Sequence, residues 1–238
     1  MNKNIPSLKP TFNRFIAHFL RNDGLSTYRK LEYEELSMLS FSGRILDFGG
    51  GAESHYLKII QSRILNGEYQ SANIDNAMRP TYLICPDEEL PFGDNEFDTI
   101  ISLNTLEHIF KLDFTLRELS RILKSNGKFV FAVPFLFRVH GCPDDFNRPT
   151  ASWWFKSLEV AGFKNIKITP LIWDPLTTGY SISETVGPFK FMRRILIPLF
   201  STIYCTIKFS NAESRYPEAI SNSLSNYAMG YIIQGEKI

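Results

Sequence analysis

The chain has 238 residues, 44% of them apolar, and 26 basic residues stand against 25 acidic ones for a net charge of +1. That length suits one α/β domain with an elaboration, and so balanced a charge leaves no footprint for nucleic acid as a partner. Cys85, Cys142 and Cys205 are far apart with no C-x-x-C pair, which fits free thiols in a reducing cytoplasm rather than a disulfide framework.

Residues 11 to 39 read as one or two helices, with Phe12, Phe15, Ile16, Phe19 and Leu20 at helical spacing and a break at Asn22-Asp23-Gly24. Polar Asn13, Arg14, His18 and Arg21 interrupt every apolar stretch, so no secretory signal is expected. The next stretch, Arg44-Ile-Leu-Asp-Phe-Gly-Gly-Gly-Ala52, is an apolar strand that ends on an acid and runs into three glycines. A helical pattern from Ser54 to Ile60 follows. Strand, glycine turn and helix in that order let a backbone approach a ligand closely, and the helix start is expected to present free N–H groups over the turn.

Three ligands compete for such a loop. A P-loop needs Lys-Ser or Lys-Thr after its last glycine, and Ala52-Glu53-Ser54 stands there instead. A dinucleotide loop reads G-x-G-x-x-G, but Ser54 occupies its third position and Glu53 would repel a pyrophosphate. A phosphate-free nucleoside with an amino-acid tail and a positive sulfonium tolerates both Asp47 and Glu53. The bland alternative is an ordinary tight turn. With Asp47, Gly49 and Gly51 matching an acid followed by G-x-G-x-G, the stretch resembles the first motif of the class I S-adenosylmethionine-dependent methyltransferases, in a small-molecule branch; Glu53 departs from it at the last glycine.

The resemblance continues downstream. Tyr69 to Asp75 reads as a second strand ending on a carboxylate, which a parallel sheet would place beside the glycine turn to meet a ribose; a helix cap is the competing role for Asp75. The run from Cys85 to Ile109 looks like the next two family motifs, with a Leu-Pro-Phe turn, a strand from Phe97 to Leu103 and a Leu-Glu-His-Ile helix. By that resemblance Asp87 and the backbone of Glu88 would meet adenine, and Asn104 the methionine part, beside Gly49, Gly50 and Gly51. An amphipathic helix from Leu116 closes on Gly127, and a strand from Lys128 to Pro134 completes the pattern. S-adenosyl-L-methionine is thus the expected cofactor. The expected fold is a Rossmann-like, doubly wound, mostly parallel seven-stranded sheet with an antiparallel last strand and helices on both faces. Residues 1–40 are expected as a helical lid or cap, with packing on the sheet edge as the alternative, and 41–170 as the cofactor-binding core.

The acceptor should lie over the carboxyl ends of the middle strands. The loop His140-Gly-Cys-Pro-Asp-Asp-Phe-Asn-Arg-Pro-Thr150 resembles one in methyltransferases of sugars and small metabolites. His140 is the candidate base for an acceptor hydroxyl, with Asp145 orienting it; a capping His140 and an Asp145–Arg148 ion pair form the structural alternative. His108, Arg138 and Arg148 are candidate substrate contacts. No metal is expected, because His140, Cys142, Asp144 and Asp145 make a poor ligand set by spacing.

After a helix from Thr150 to Gly162 and a strand from Phe163 to Thr169, residues 171–226 form an insertion before a last strand from Tyr227 to Ile233, within 227–238. Within the insertion, 187–210 is apolar and basic without an acid, and its run from Ile195 to Ile207 is too short to cross a bilayer. Peripheral contact with the inner membrane face and burial against the sheet or a homodimer partner are the two expectations. Tyr204 and Lys208 share the spacing of short-chain dehydrogenases but in the wrong context. The expected acceptor is a small or carrier-linked metabolite, a sugar hydroxyl of a polysaccharide or glycolipid precursor. The rival is a non-catalytic methyltransferase-fold protein acting as an interaction or regulatory partner.

Overall fold

The computed structural model describes residues 7–20, 23–85, 87–141, 144–183, 188–209, 215–216 and 218–238. Seven strands form one sheet in the order β3-β2-β1-β4-β5-β7-β6, comprising β1 (Phe41–Phe48), β2 (Ile64–Asn73), β3 (Tyr82–Leu83), β4 (Phe97–Leu103), β5 (Leu123–Pro134), β6 (Phe163–Leu171) and β7 (Gly230–Lys237). Strands β1 to β5 pair in parallel, and β7 runs antiparallel to both β5 and β6. This is the doubly wound arrangement with an antiparallel strand near one edge.

The period-two alternation of each inner strand splits the core into two layers. Phe129, Phe131 and Val133 of β5 and Tyr231 and Ile233 of β7 face one side, where they meet α4 (Leu112–Ile122) and α5 (Ala151–Val160). Leu112, Leu116, Leu119 and Ile122 form the buried stripe of α4, and Trp154 and Leu158 that of α5. Val130, Ala132 and Ile232 face the other side, against α1 (Phe12–Phe19), α2 (Thr27–Ser37) and α3 (Leu57–Arg63). Side-chain caps fix where three of these helices begin: the hydroxyls of Thr11, Ser26 and Thr150 accept from the N–H of Arg14, Arg29 and Trp153.

Several boundaries differ from the sequence reading: the helix read from Leu116 to Gly127 ends at Ile122, with Leu123–Gly127 already in β5, and the second strand spans Ile64–Asn73 rather than Tyr69 to Asp75. The helix expected from Ser54 starts at Leu57, because the Ser54 hydroxyl accepts from Gly51 N and the Ser54 N–H donates back to the Gly51 carbonyl, closing a tight turn instead. The last strand starts at Gly230 rather than Tyr227, because the N–H groups of Tyr227 and Ala228 still close α8 (Glu218–Ser225) on Leu224 and Ser225. Between β6 and β7 lie α6 (Pro175–Ile182), α7 (Lys190–Lys208) and α8. Among the described residues no helix is long and apolar enough to cross a membrane.

Candidate functional site

A cleft of about 700 Å³ opens at the carboxyl ends of β1, β2 and β4. Its walls come from Gly49 and Tyr56 after β1, from Asn73 to Asp75 and Met78 after β2, and from Asn104, Thr105 and His108 after β4. Helix α2 adds Arg29 and Tyr33, and the loop after β5 adds His140. This is the crevice where open α/β sheets bind ligands.

The glycine loop is shaped by close approaches. Gly49 holds a left-handed φ of +94°, and a Cβ there would lie 1.9 Å from Thr105 Oγ1. A Cβ on Gly50 would strike the Asp47 carboxylate at 1.9 Å, and one on Gly51 the Met78 carbonyl oxygen at 2.1 Å. Gly49 therefore faces the cleft, whereas Gly50 and Gly51 let the loop sit tightly on its own supports. The free N–H groups expected above the turn are already engaged. Gly51 N donates to Ser54 Oγ, Ala52 N to the Arg79 carbonyl and Glu53 N to the Met78 carbonyl. Glu53, in the place of the third glycine, pairs with Arg79 at 3.0 Å with both side chains more than half exposed, so its charge faces solvent.

Asp47 lies beneath the loop, fully buried. Tyr56 OH donates to its Oδ1 at 3.2 Å and Tyr69 OH to its Oδ2 at 2.6 Å. Burial pushes its carboxyl up to about 6, against the pull of the two tyrosine hydroxyls. It braces the loop rather than lining the cleft. Asn73 does similar work from β2, with its Nδ2 donating to the carbonyls of Gly49 and Gly50 at 2.7 and 3.3 Å. Asp75 lines the cleft while its Oδ1 accepts from Ala77 N at 2.8 Å, so the cap and a ligand compete for one carboxylate. Asn104 stands in the cleft with φ +53°, and its Nδ2 donates to Glu32 Oε1 at 2.8 Å. Glu32, buried on α2, also pairs with Arg29 at 3.1 Å.

Asp87 and Glu88 are placed differently from the sequence expectation. Asp87 borders a separate hollow beside Phe110 and Trp153, where its Oδ1 accepts from Lys111 N at 2.9 Å. Glu88 is exposed, and Ile84 is the residue of this loop that lines the cleft. The loop turns early: Glu88 N reaches back to the Cys85 carbonyl, and Asp87 is drawn to the start of α4.

At the far end of the cleft the loop after β5 folds back. His140 is half-buried, its Nδ1 3.4 Å from Asp145 Oδ2 and 3.3 Å from Arg148 Nη2. Asp145, nearly buried, accepts from the His140 backbone N–H at 3.1 Å and from Arg148. Burial, then the neighbouring His108 and Arg148, lower the His140 pKa, with Asp145 opposing, so the ring is neutral at pH 7. His108 lines the cleft, its ring 5.4 Å from that of His140 in a T-shaped contact. Arg138 is exposed and lies over the Phe137 ring at 5.9 Å, outside the cleft wall. Cys142 lies outside the described residues. Tyr204 and Lys208 bond each other at 2.9 Å on α7, away from the cleft walls.

Residues 46–131 match the family model for a methyltransferase domain. This part of the core is similar to class I, S-adenosylmethionine-dependent methyltransferase domains. The chain is 28% identical over 86 residues to a sterol 4-C-methyltransferase of Caenorhabditis elegans, covering 36% of this chain and 25% of that protein. It is 25% identical over 142 residues to a malonyl-[acyl-carrier protein] O-methyltransferase of Geobacter sulfurreducens, covering 53% and 52%. The chain thus spans about half or less of the length of these curated relatives. The crystal structure of an S-adenosylmethionine-dependent methyltransferase from Archaeoglobus fulgidus superposes with a TM-score of 0.55 at 16% identity, over 95% of this chain and 99% of its own, which shows the shared fold. S-adenosyl-L-methionine is the cofactor of this class, and the cleft fits it. The backbone at Gly49 admits no Cβ, the cleft is large enough for a nucleoside, and Arg29 in its wall offers a cation for an amino-acid carboxylate.

Sequence reasoning missed the contributions of α2 and of Tyr56 and Tyr69. Arg29, Glu32 and Tyr33 reach the site only through the packing of α2 on the sheet, and Asn104 meets Glu32 across 72 positions of chain. The tyrosines carried a usable signal, since Asp47 on an inner strand would be buried and need donors.

Proposed function

We propose that this chain transfers a methyl group from S-adenosyl-L-methionine to a hydroxyl of a small or carrier-linked metabolite, with a sugar of a polysaccharide or glycolipid precursor as the favoured acceptor. The observation that carries the reading is the cleft itself, with a tightly seated glycine turn at one end and a neutral, carboxylate-braced histidine at the other. The bound cofactor supplies an electrophilic methyl on a sulfonium. The chain's residues hold the ends. Asp75 is assigned to the ribose, Arg29 to the carboxylate and Asn104 to the methionine part, while Asp47 and Asn73 keep the loop in place. His140 takes the hydroxyl proton, with Asp145 and Arg148 fixing its ring. In-line alignment of donor and acceptor carries much of the barrier reduction. Hydroxyl chemistry needs a proton acceptor that is neutral at working pH, and the lowered pKa of His140 supplies one.

The test pairs labelled cofactor with an extract of polar lipids and sugar precursors and follows label into product. Transfer is expected, and His140→Ala should lower turnover by about 10² or more with cofactor affinity unchanged. Cofactor binding by calorimetry with no label moved into any extract fraction would return the chain to the non-catalytic reading.

The favoured lipid-linked acceptor also rests on α7. Phe189, Met192, Leu196, Phe200, Ile203 and Ile207 are exposed at intervals of three or four, one continuous apolar stripe. Helix α1 packs beside α7 and exposes Phe12 and Ile16, with Leu20 exposed just past its end. Lys190 to Lys208 holds four cations and no acid. An apolar stripe in a cationic segment suits peripheral contact with an anionic lipid surface.

A further inference from the structure

Glu107, His108 and His140 stand together at the acceptor end of the cleft, with one donor atom from each lying within 4.8 Å of the others. Glu107 is 1% exposed, and neither of its carboxylate oxygens has a hydrogen-bond partner. A buried carboxyl with no donor at either oxygen is costly, so something is missing from its surroundings.

The tautomer of His108 sharpens the point. Its Nδ1 is held by the backbone carbonyl of Asp144. A carbonyl oxygen can only accept, so Nδ1 carries the hydrogen and the neutral ring presents its lone pair at Nε2. That nitrogen sits 3.6 Å from Glu107 Oε1. A lone pair then faces a carboxylate oxygen, two acceptors with no donor between them. His140 Nδ1 lies 3.4 Å from Asp145 Oδ2 and 3.3 Å from Arg148 Nη2, and the tautomer that donates to Asp145 is the one that leaves Nε2 open for a metal. An imidazole whose far nitrogen is fixed by a carbonyl or a carboxylate is the usual state of a histidine oriented to bind a metal.

We propose that Glu107, His108 and His140 bind a divalent transition-metal cation at the acceptor end of the cleft. Two imidazole nitrogens and one carboxylate oxygen favour zinc, manganese, cobalt or iron(II) over magnesium or calcium, which prefer oxygen alone. Glu107 fits this role, because its buried carboxyl has no side-chain hydrogen-bond partner and a cation would supply one. His108 and His140 line the cleft, so positions left open on the cation face the space where the acceptor lies. An acceptor oxygen that coordinated there would become more acidic. The cation would occupy a nitrogen of His140, so in the metal-bound protein its charge replaces the imidazole in activating the hydroxyl. That last consequence rests on the methyl-transfer reading; the binding site does not.

Calorimetry of the full chain, stripped with a chelator and titrated with zinc chloride, tests the site. One equivalent is expected to bind, with affinity at least tenfold weaker in both Glu107→Gln and His108→Ala and unchanged in His55→Ala, which alters an exposed histidine elsewhere in the cleft. Thermal melting of each variant checks that it is folded, and the near-isosteric Glu107→Gln keeps the test valid where an alanine variant does not fold. Absence of stoichiometric zinc binding, or equal affinity in folded Glu107→Gln, overturns the proposal and leaves a shared proton between Glu107 and His108. A separate titration with S-adenosyl-L-methionine distinguishes the two readings: cofactor binding without zinc binding sinks the metal alone, and zinc binding without cofactor binding sinks methyl transfer alone.

Discussion

At the scale of single residues, the two acids of the cofactor side have separate tasks. Asp47 is sealed under the loop with two tyrosine donors, and Asp75 stands at the rim as both cap and cleft wall. The Asp47 carboxyl is raised to about 6 when folded, above its ordinary value of 3.8. The folded chain therefore holds that proton more tightly than the unfolded one, so the stability Asp47 contributes is fully present below pH 4 and is lost as pH rises through 6. A shift of about two pKa units corresponds to about 3 kcal/mol. Denaturant unfolding of the free protein between pH 4 and 7 should show this decline, and Asp47→Asn should flatten it; an unchanged slope would show that the carboxyl titrates normally. For Asp75→Ala, calorimetry is expected to give at least tenfold weaker cofactor binding, and an unaltered affinity would leave Asp75 as a cap alone. His140 belongs to the same scale: if it accepts the proton, the rate should rise with pH about a midpoint below that of a free imidazole, and a rise centred above neutrality would assign the step elsewhere.

Helices and strands were legible to different degrees. Strand β4 has the bounds read from sequence, Phe97 to Leu103, because a short apolar run between a polar turn and an asparagine has few other solutions. The start of α3 was not legible. Ser54 ahead of apolar residues looks like a helix cap, yet its hydroxyl is spent on Gly51, a contact set by how the loop sits on the turn at Met78 and Arg79. Helix α2 was recognisable as a helix but not as a wall of the site, since Arg29 and Tyr33 face the cleft only once the second core layer has formed. Arg29→Ala should weaken cofactor binding about tenfold, or ~1.4 kcal/mol. Affinity kept by Arg29→Lys would point to charge alone, weakening equal to that of the alanine variant would point to the guanidinium fork, and no effect for either would remove Arg29 from the assignment.

For the molecule as a whole, the order of motifs along the chain announced the fold, because each strand end and glycine turn has one sensible place in a parallel sheet. The surface was harder to read. The residues from 187 to 210 held apolar and basic types, but which of them face outward depends on Ile195 and Leu199 having packed toward the core. Residues 187 and 210 themselves lie outside the described residues. Flotation with vesicles containing anionic lipid should carry the protein upward, and Phe200→Asp with Ile207→Asp should abolish this without changing the melting temperature. Equal flotation of the double variant would remove this stripe from the picture, and flotation with neutral vesicles only would remove the anionic surface.

The position of β7 has a consequence for how the protein comes into being. In the sheet order, β6 touches no strand except β7, and β7 is also the sole bridge from β6 to β5. During synthesis, the outer ribbon therefore waits, unpaired, while three helices emerge behind it. Only the arrival of β7 can stitch it to the rest. Deleting β7 would set β6 adrift and leave the flank of β5 open to a neighbouring molecule, a recipe for clumping rather than for a smaller working domain.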